Sequence, residues 1–184
     1  MKRNVKIALF IFMVLLQLTI PISMILEHQA TLTTGQVFKF KAAPVDPYDP
    51  FQGRYLSINI EARQVKVGDP GKYRDGQKVY AILETDDEGY AKISGLSVDA
   101  PVNSPYFKTQ IANIDPLGTV YLQIPFNRYY MPEAQATAAE KELNGRFGEN
   151  APKIYVNVRI YKGNAILESV YISGLLIEDY LKTR

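Results

Sequence analysis

From Val5 to Leu26 the chain reads VKIALFIFMVLLQLTIPISMIL, and past Lys6 this run carries no charge. No other stretch restricts the fold as strongly. About 20 predominantly apolar residues in helical form cross roughly 30 Å of hydrocarbon, which is the thickness of a bilayer interior. Lys2, Arg3 and Lys6 sit at its N-terminal flank, and basic residues beside a span stay on the cytoplasmic side. The sequence therefore predicts a single-pass protein of a bacterial cytoplasmic membrane, N-terminus inside, with everything after Glu27 outside the cytoplasm. A cleaved signal peptide would have a shorter apolar region and a small-x-small site. Ser23-Met24-Ile25 and Glu27-His28-Gln29-Ala30 supply no good one, so a retained anchor is favoured over a cleaved signal and over a buried core helix. Pro21 in the last third of the run is tolerable, because a bilayer helix can re-satisfy freed backbone groups locally.

The division that follows is residues 1–28 as basic tip and anchor and residues 29–184 as one extracytoplasmic domain. Hydrophobic residues make up 47% of the chain, with 13 Tyr and 8 Phe, which is enough to pack a core and argues against disorder. Of the 21 basic residues, three precede the anchor, leaving 18 against 19 acids. With that balance and no basic stripe, no nucleic-acid partner is expected. Cysteine is absent, which removes disulfides, thiolate metal sites and Cys nucleophiles. A domain of about 150 residues can be stable on its core alone.

Beyond the anchor, apolar and polar residues alternate with the period of a strand. Leu56, Ile58 and Ile60 share a face in Tyr55–Glu61; Val79, Ala81 and Leu83 do so in Lys78–Glu84; Val120, Leu122 and Ile124 in Thr119–Ile124; Ile154, Val156, Val158 and Ile160 in Lys153–Tyr161. Further strands are expected near Val37–Lys41, Tyr90–Ser97, Tyr106–Ala112 and Ala165–Ser173. Turn residues separate them, and Lys162-Gly163-Asn164 between two alternating runs reads as a hairpin. One segment departs from this period. In Pro132–Arg146, Pro132 suits a first helical position, and Ala136, Ala139 and Leu143 follow helical spacing. The predicted fold is mainly β, an antiparallel sandwich or partly open barrel with one short α-helix, preceded by a single N-terminal transmembrane helix.

Two stretches carry the residues suited to recognition. Pro44–Gly53, PVDPYDPFQG, holds Asp46-Pro47 and Asp49-Pro50 and leads through Arg54 into Tyr55. Such aspartates commonly cap the backbone of their own turns; held on a stiff loop they could also face a cation or an amine. Two acids three apart fall short of a calcium loop, which needs a denser array of oxygens. The second stretch, Asn127–Glu133, holds Arg128, Tyr129, Tyr130 and Glu133, side chains that often anchor interfaces. They could equally form an aromatic corner that closes the core. His28 is the sole histidine and lies at the membrane boundary, so a Ser-His-Asp triad and a His-rich metal site are both excluded. No catalytic residue, metal site or cofactor is expected.

Pro44–Ile60 resembles the GDYXXLXY family of bacterial membrane-anchored proteins. A Pro- and Asp-rich lead there runs into Gly-Asp-Tyr-x-x-Leu-x-Tyr. Gly53 and Tyr55 match, Ile58 stands for Leu, Ile60 for the last Tyr, and Arg54 reverses the charge of the Asp. The resemblance continues through Asn127–Glu133 and the closing strands up to Leu175. It implies a membrane-anchored domain that accompanies multi-spanning membrane proteins, and it assigns no catalytic residue. If the motif Asp did chemistry, Arg54 would abolish it; if the motif shapes the start of a strand, the exchange is tolerable.

From these observations a non-enzymatic interaction domain is expected, binding another envelope or membrane protein through Asp46, Asp49, Arg54, Tyr55, Arg128, Tyr129, Tyr130 and Glu133. The alternative is an envelope hydrolase or glycan-binding protein that uses Asp46, Asp49 and Glu133 as carboxylates. The recognition reading requires the two stretches to meet at one rim.

Overall fold

The computed structural model describes residues 3–44, 55–132, 135, 138–139 and 153–183. Helix α1 spans Arg3–Thr34, about 48 Å at 1.5 Å per residue. Its apolar part, together with the turns that follow to Thr34, is long and apolar enough to cross a membrane, and no part of its apolar window is covered by the rest of the protein. The helix continues past His28 for about another turn and a half. Those last residues pack on the domain, where Thr31 is fully buried and the Gly35 N–H donates to the Thr31 carbonyl at 3.0 Å.

Eleven strands follow among the described residues: β1 Gln36–Pro44, β2 Tyr55–Ile60, β3 Gln64–Lys66, β4 Lys78–Thr85, β5 Ala91–Ser97, β6 Tyr106–Ile114, β7 Thr119–Gln123, β8 Arg128–Tyr130, β9 Ile154–Tyr161, β10 Asn164–Ile172 and β11 Leu175–Leu176. A short helix, α2, closes the chain over Ile177–Lys182. All eight strands expected from period-two alternation are present. The three that were not expected, β3, β8 and β11, have two or three residues each, too few to display a period. Of the helix expected over Pro132–Arg146, only Pro132, Gln135, Ala138 and Ala139 are described apart from Met131 before it; the last three are helical and Ala139 is fully buried.

The strands form two antiparallel sheets, one in the order β11-β10-β9-β1-β2-β8 and one in the order β3-β7-β6-β4-β5. Each curls toward closure: β8 comes up to β10 in the first, and β3 to β5 in the second. The result is a nearly closed, barrel-like β structure. Between the sheets lies one apolar core, filled by the residues that the alternation turns inward, among them Phe40, Ile60, Phe107, Ile111, Val156, Val158 and Ile172. Phe126 bridges the sheets, its ring 5.2 Å from both Phe40 and Phe107. Fully burying side chains of this size stabilises a fold by about 1.5–3 kcal/mol each.

The hairpin expected at Lys162–Asn164 is present. Lys162 and Gly163, both at positive φ (48° and 82°), form its two-residue loop, the geometry that fits the twist of the strands it joins. Ser173 and Gly174 repeat it between β10 and β11, at φ 51° and 87°.

Candidate functional site

The two ends of the six-stranded sheet are built differently, and β1 runs between them. At the base, where α1 meets the sheet, the chain passes through Gly35 with no room to spare. A Cβ there would lie 2.3 Å from the Thr31 carbonyl oxygen and 2.7 Å from Cγ of Arg159, so the helix-to-strand joint admits only glycine. Arg159 Nη1 donates to the Gly35 carbonyl at 3.3 Å, while its Nε and Nη2 donate to Glu168 at 3.0 and 2.8 Å. The register of β10 on β9 shifts between Leu167 and Ser169, at Glu168. Such a bulge re-aims one side chain.

At the far end, β2 and β8 pair antiparallel with Tyr55 opposite Tyr130, Leu56 opposite Tyr129 and Ser57 opposite Arg128. This register joins the strand that leaves the Asp-Pro stretch to the Arg-Tyr-Tyr stretch. Of the Asp-Pro stretch, only Pro44 lies within the described residues. Tyr55 lies beyond Pro44, the end of β1, which pairs with Ile58; the junction is therefore at the end of the sheet remote from α1. Asp46, Asp49, Arg54 and Glu133 lie outside the described residues.

Within β8 the three side chains have different surroundings. Arg128 is exposed and Tyr130 is 70% exposed. Tyr129 points the other way, half-buried against the core. Its hydroxyl donates to Glu178 Oε1 of α2 at 2.5 Å. Burial and this carboxylate raise the Tyr129 hydroxyl well above the ordinary tyrosine range. The second carboxylate oxygen, Glu178 Oε2, is buried and has no hydrogen-bond partner among the described residues. Because β8 and the β11–α2 segment are the opposite edges of one sheet, this hydrogen bond is a clasp across the opening of the barrel. Tyr129 therefore answers to the aromatic-corner reading, while Arg128 and Tyr130 remain on the outside. Glu178 had no signal in the sequence, since α2 is only six residues long and shows no period.

Sequence reasoning also missed a cluster on the outer face of the sheet. Tyr155 and Tyr171, paired across β9 and β10, stack with ring centres 4.8 Å apart. Lys39 Nζ lies 4.3 Å from the centre of the Tyr155 ring, and Lys41 Nζ 4.8 Å from that of Tyr90. Lys41 also pairs with Glu88 at 2.7 Å. Tyr90 and Glu88 belong to the turn between β4 and β5. The two lysines thus bind that turn to β1 through cation–π contacts. In the same turn Asp86 caps the backbone N–H groups of Glu88 and Tyr90 at 3.0 and 2.8 Å, and Asp115 does the same for Leu117 and Thr119. Among the described residues no group of three His, Cys, Asp or Glu is arranged to hold a metal ion.

The family described as GDYXXLXY protein matches residues 17–170. The chain belongs to this family. The match takes in the second half of α1 and every strand from β1 to the body of β10, so family membership covers the helix-to-sheet joint at Gly35 and the β2–β8 junction together. It stops before Ile172 and before α2, and the Glu178 half of the clasp lies outside it. No curated protein matches the chain. No solved structure matches it.

Proposed function

We propose that this GDYXXLXY family member is a single-pass membrane protein, N-terminus in the cytoplasm, whose β domain stands outside the cytoplasm and binds another envelope or membrane protein at the rim remote from α1. The observation that carries the reading is the β2–β8 register, Tyr55 opposite Tyr130. It pairs the start of the strand that follows the Asp-Pro stretch with the Arg-Tyr-Tyr stretch, and Arg128 and Tyr130 there are exposed. Tyrosine and arginine bury a large area and keep a hydrogen-bond donor, and for that reason they dominate interface energetics. The uncovered apolar surface of α1 and the basic residues before it support the anchoring and its direction.

Two experiments test it. A reporter fused at Arg184 should be active only if it functions outside the cytoplasm; activity of a cytoplasmic reporter would overturn the orientation. For the rim, the full chain is captured from solubilised membranes and the co-purifying proteins identified by mass spectrometry. Arg54→Glu and Arg128→Glu should each lose the protein that wild type retains. If both variants keep it, recognition lies elsewhere on the domain.

A further inference from the structure

Where α1 leaves its apolar stretch it does not meet the β domain flush. A cavity of about 320 Å³ opens between them, lined on the helix side by Met24, Glu27 and His28 and on the domain side by Lys108, Asn164 and Ile166. Its size is at the lower end of the range of small-ligand sites. Its position is set by the helix. Leu26 is the last residue of the apolar run, and Glu27 and His28 are the first groups after it able to carry charge. With the apolar run across a hydrocarbon layer of about 30 Å, Glu27 falls in the headgroup zone of the leaflet on the domain side. Met24 lies one turn deeper, at the acyl boundary, so the cavity spans the levels that a phospholipid headgroup and its glycerol occupy.

The lining is matched to such a molecule. Lys108 is exposed, and its ammonium forms no ion pair among the described residues. Its stem lies against Gly163, where φ is 82° and a Cβ would sit 2.7 Å from Tyr106 Cε2 and 3.0 Å from Lys108 Cγ. Glu27 faces the cavity with only a long contact, 3.5 Å, from the Asn164 amide to its Oε2. The lining thus combines one ammonium, one carboxylate and an imidazole with the apolar side chains of Met24 and Ile166, and carries nearly zero net charge. An anionic lipid would satisfy Lys108 but would leave Glu27 without a cation. A zwitterionic lipid with a primary amine satisfies both, its phosphate on Lys108 and its ammonium on Glu27.

We propose that this cavity holds one zwitterionic aminophospholipid of the domain-side leaflet, which fills the gap between the anchor and the β domain. The inference rests on the membrane-spanning reading of α1. It is tested on the full chain, reconstituted in nanodiscs of equal parts phosphatidylethanolamine and phosphatidylglycerol, extracted into mild detergent and weighed by native mass spectrometry. Wild type should retain one phosphatidylethanolamine. Retention should drop at least about tenfold in Lys108→Glu and in Glu27→Gln, since each loses a hydrogen bond to a charged group, and Lys108→Arg should keep the lipid. Unchanged retention in Lys108→Glu, or equal retention of the two lipids, overturns the site. Binding of soluble glycerophosphoethanolamine with no lipid retained from the discs overturns it as well, by making the occupant a soluble phosphate ester. Alkaline carbonate extraction of membranes separates the two layers of the argument. If the chain stays in the membrane but retains no lipid, only the cavity assignment fails; if it is released, the anchor reading fails and the cavity assignment with it.

Discussion

The base and the rim of the six-stranded sheet are made of the same strands but held by different means. At the base, backbone meets backbone: Gly35 touches the Thr31 carbonyl, and the Arg159 guanidinium is shared between the Gly35 carbonyl and Glu168. At the rim, a three-residue edge strand is held by its ladder to β2 and by one side-chain clasp, Tyr129 to Glu178, with Arg128 and Tyr130 turned outward. The contrast separates two duties. The base sets how the domain stands on its helix and tolerates almost no change. The rim exposes large polar side chains, Arg128 and Tyr130, at the surface of a short edge strand.

Substitutions can break or sharpen this contrast, all read as urea unfolding of the full chain in detergent followed by the β signal in circular dichroism. The largest effect is expected from Gly35→Leu. Its side chain would collide with backbone atoms of two elements, and overpacking of this kind costs about 1–3 kcal/mol; a loss below 0.5 kcal/mol would show that the joint can shift and that the base is not rigid. Next is Tyr129→Phe, which leaves both Glu178 oxygens without a hydrogen bond, for an expected loss of about 1–2 kcal/mol. The effect should also depend on pH. The Tyr129 hydroxyl is raised in the folded state, so the stability it contributes is fully present below the ordinary tyrosine value near 10 and is lost as pH rises above it. The gap between wild type and Tyr129→Phe should therefore be constant from pH 7 to 9 and narrow above about 10. A gap that widens there would refute the clasp.

Arg159→Ala should lower stability less than Tyr129→Phe but measurably, because the contact to Glu168 is two-pronged. The loss should shrink in high salt, and one indifferent to salt would assign the effect to packing. The smallest effects are expected from Arg128→Glu and Tyr130→Ser, within about 0.5 kcal/mol of wild type. A much larger loss from either would make the whole of β8 structural and erase the contrast.

How much of this was legible in the sequence depends on the range of the interaction concerned. The long apolar helix could be read because its span-length, uncharged run is continuous in the sequence, and no other part of the chain is needed for that. The eight long strands could be read because a strand with one buried face alternates over five or more residues, as Ile154, Val156, Val158 and Ile160 do. The hairpin at Lys162-Gly163 could be read because a two-residue turn needs positive φ, which glycine allows. The family match could be read at Gly53 and Tyr55. Other features had no local signature. The strands β3, β8 and β11 are too short to show a period and exist only because a neighbour offers its free backbone groups. Gly35 looks like any glycine until Arg159, 124 positions later, closes over it. Tyr129 and Tyr130 are adjacent and chemically identical, and only the pleat of β8 against β2, with α2 across the gap, turns one into a clasp and the other outward. Glu178 acquires a role solely because the curl of the sheet brings its last element to its edge strand. Composition and local period specify the long helix and the eight long strands of this protein. Which elements become neighbours, and which of two like side chains is buried, is settled by the packing of strands far apart in the chain, because the free energy that decides it exists only once they have met.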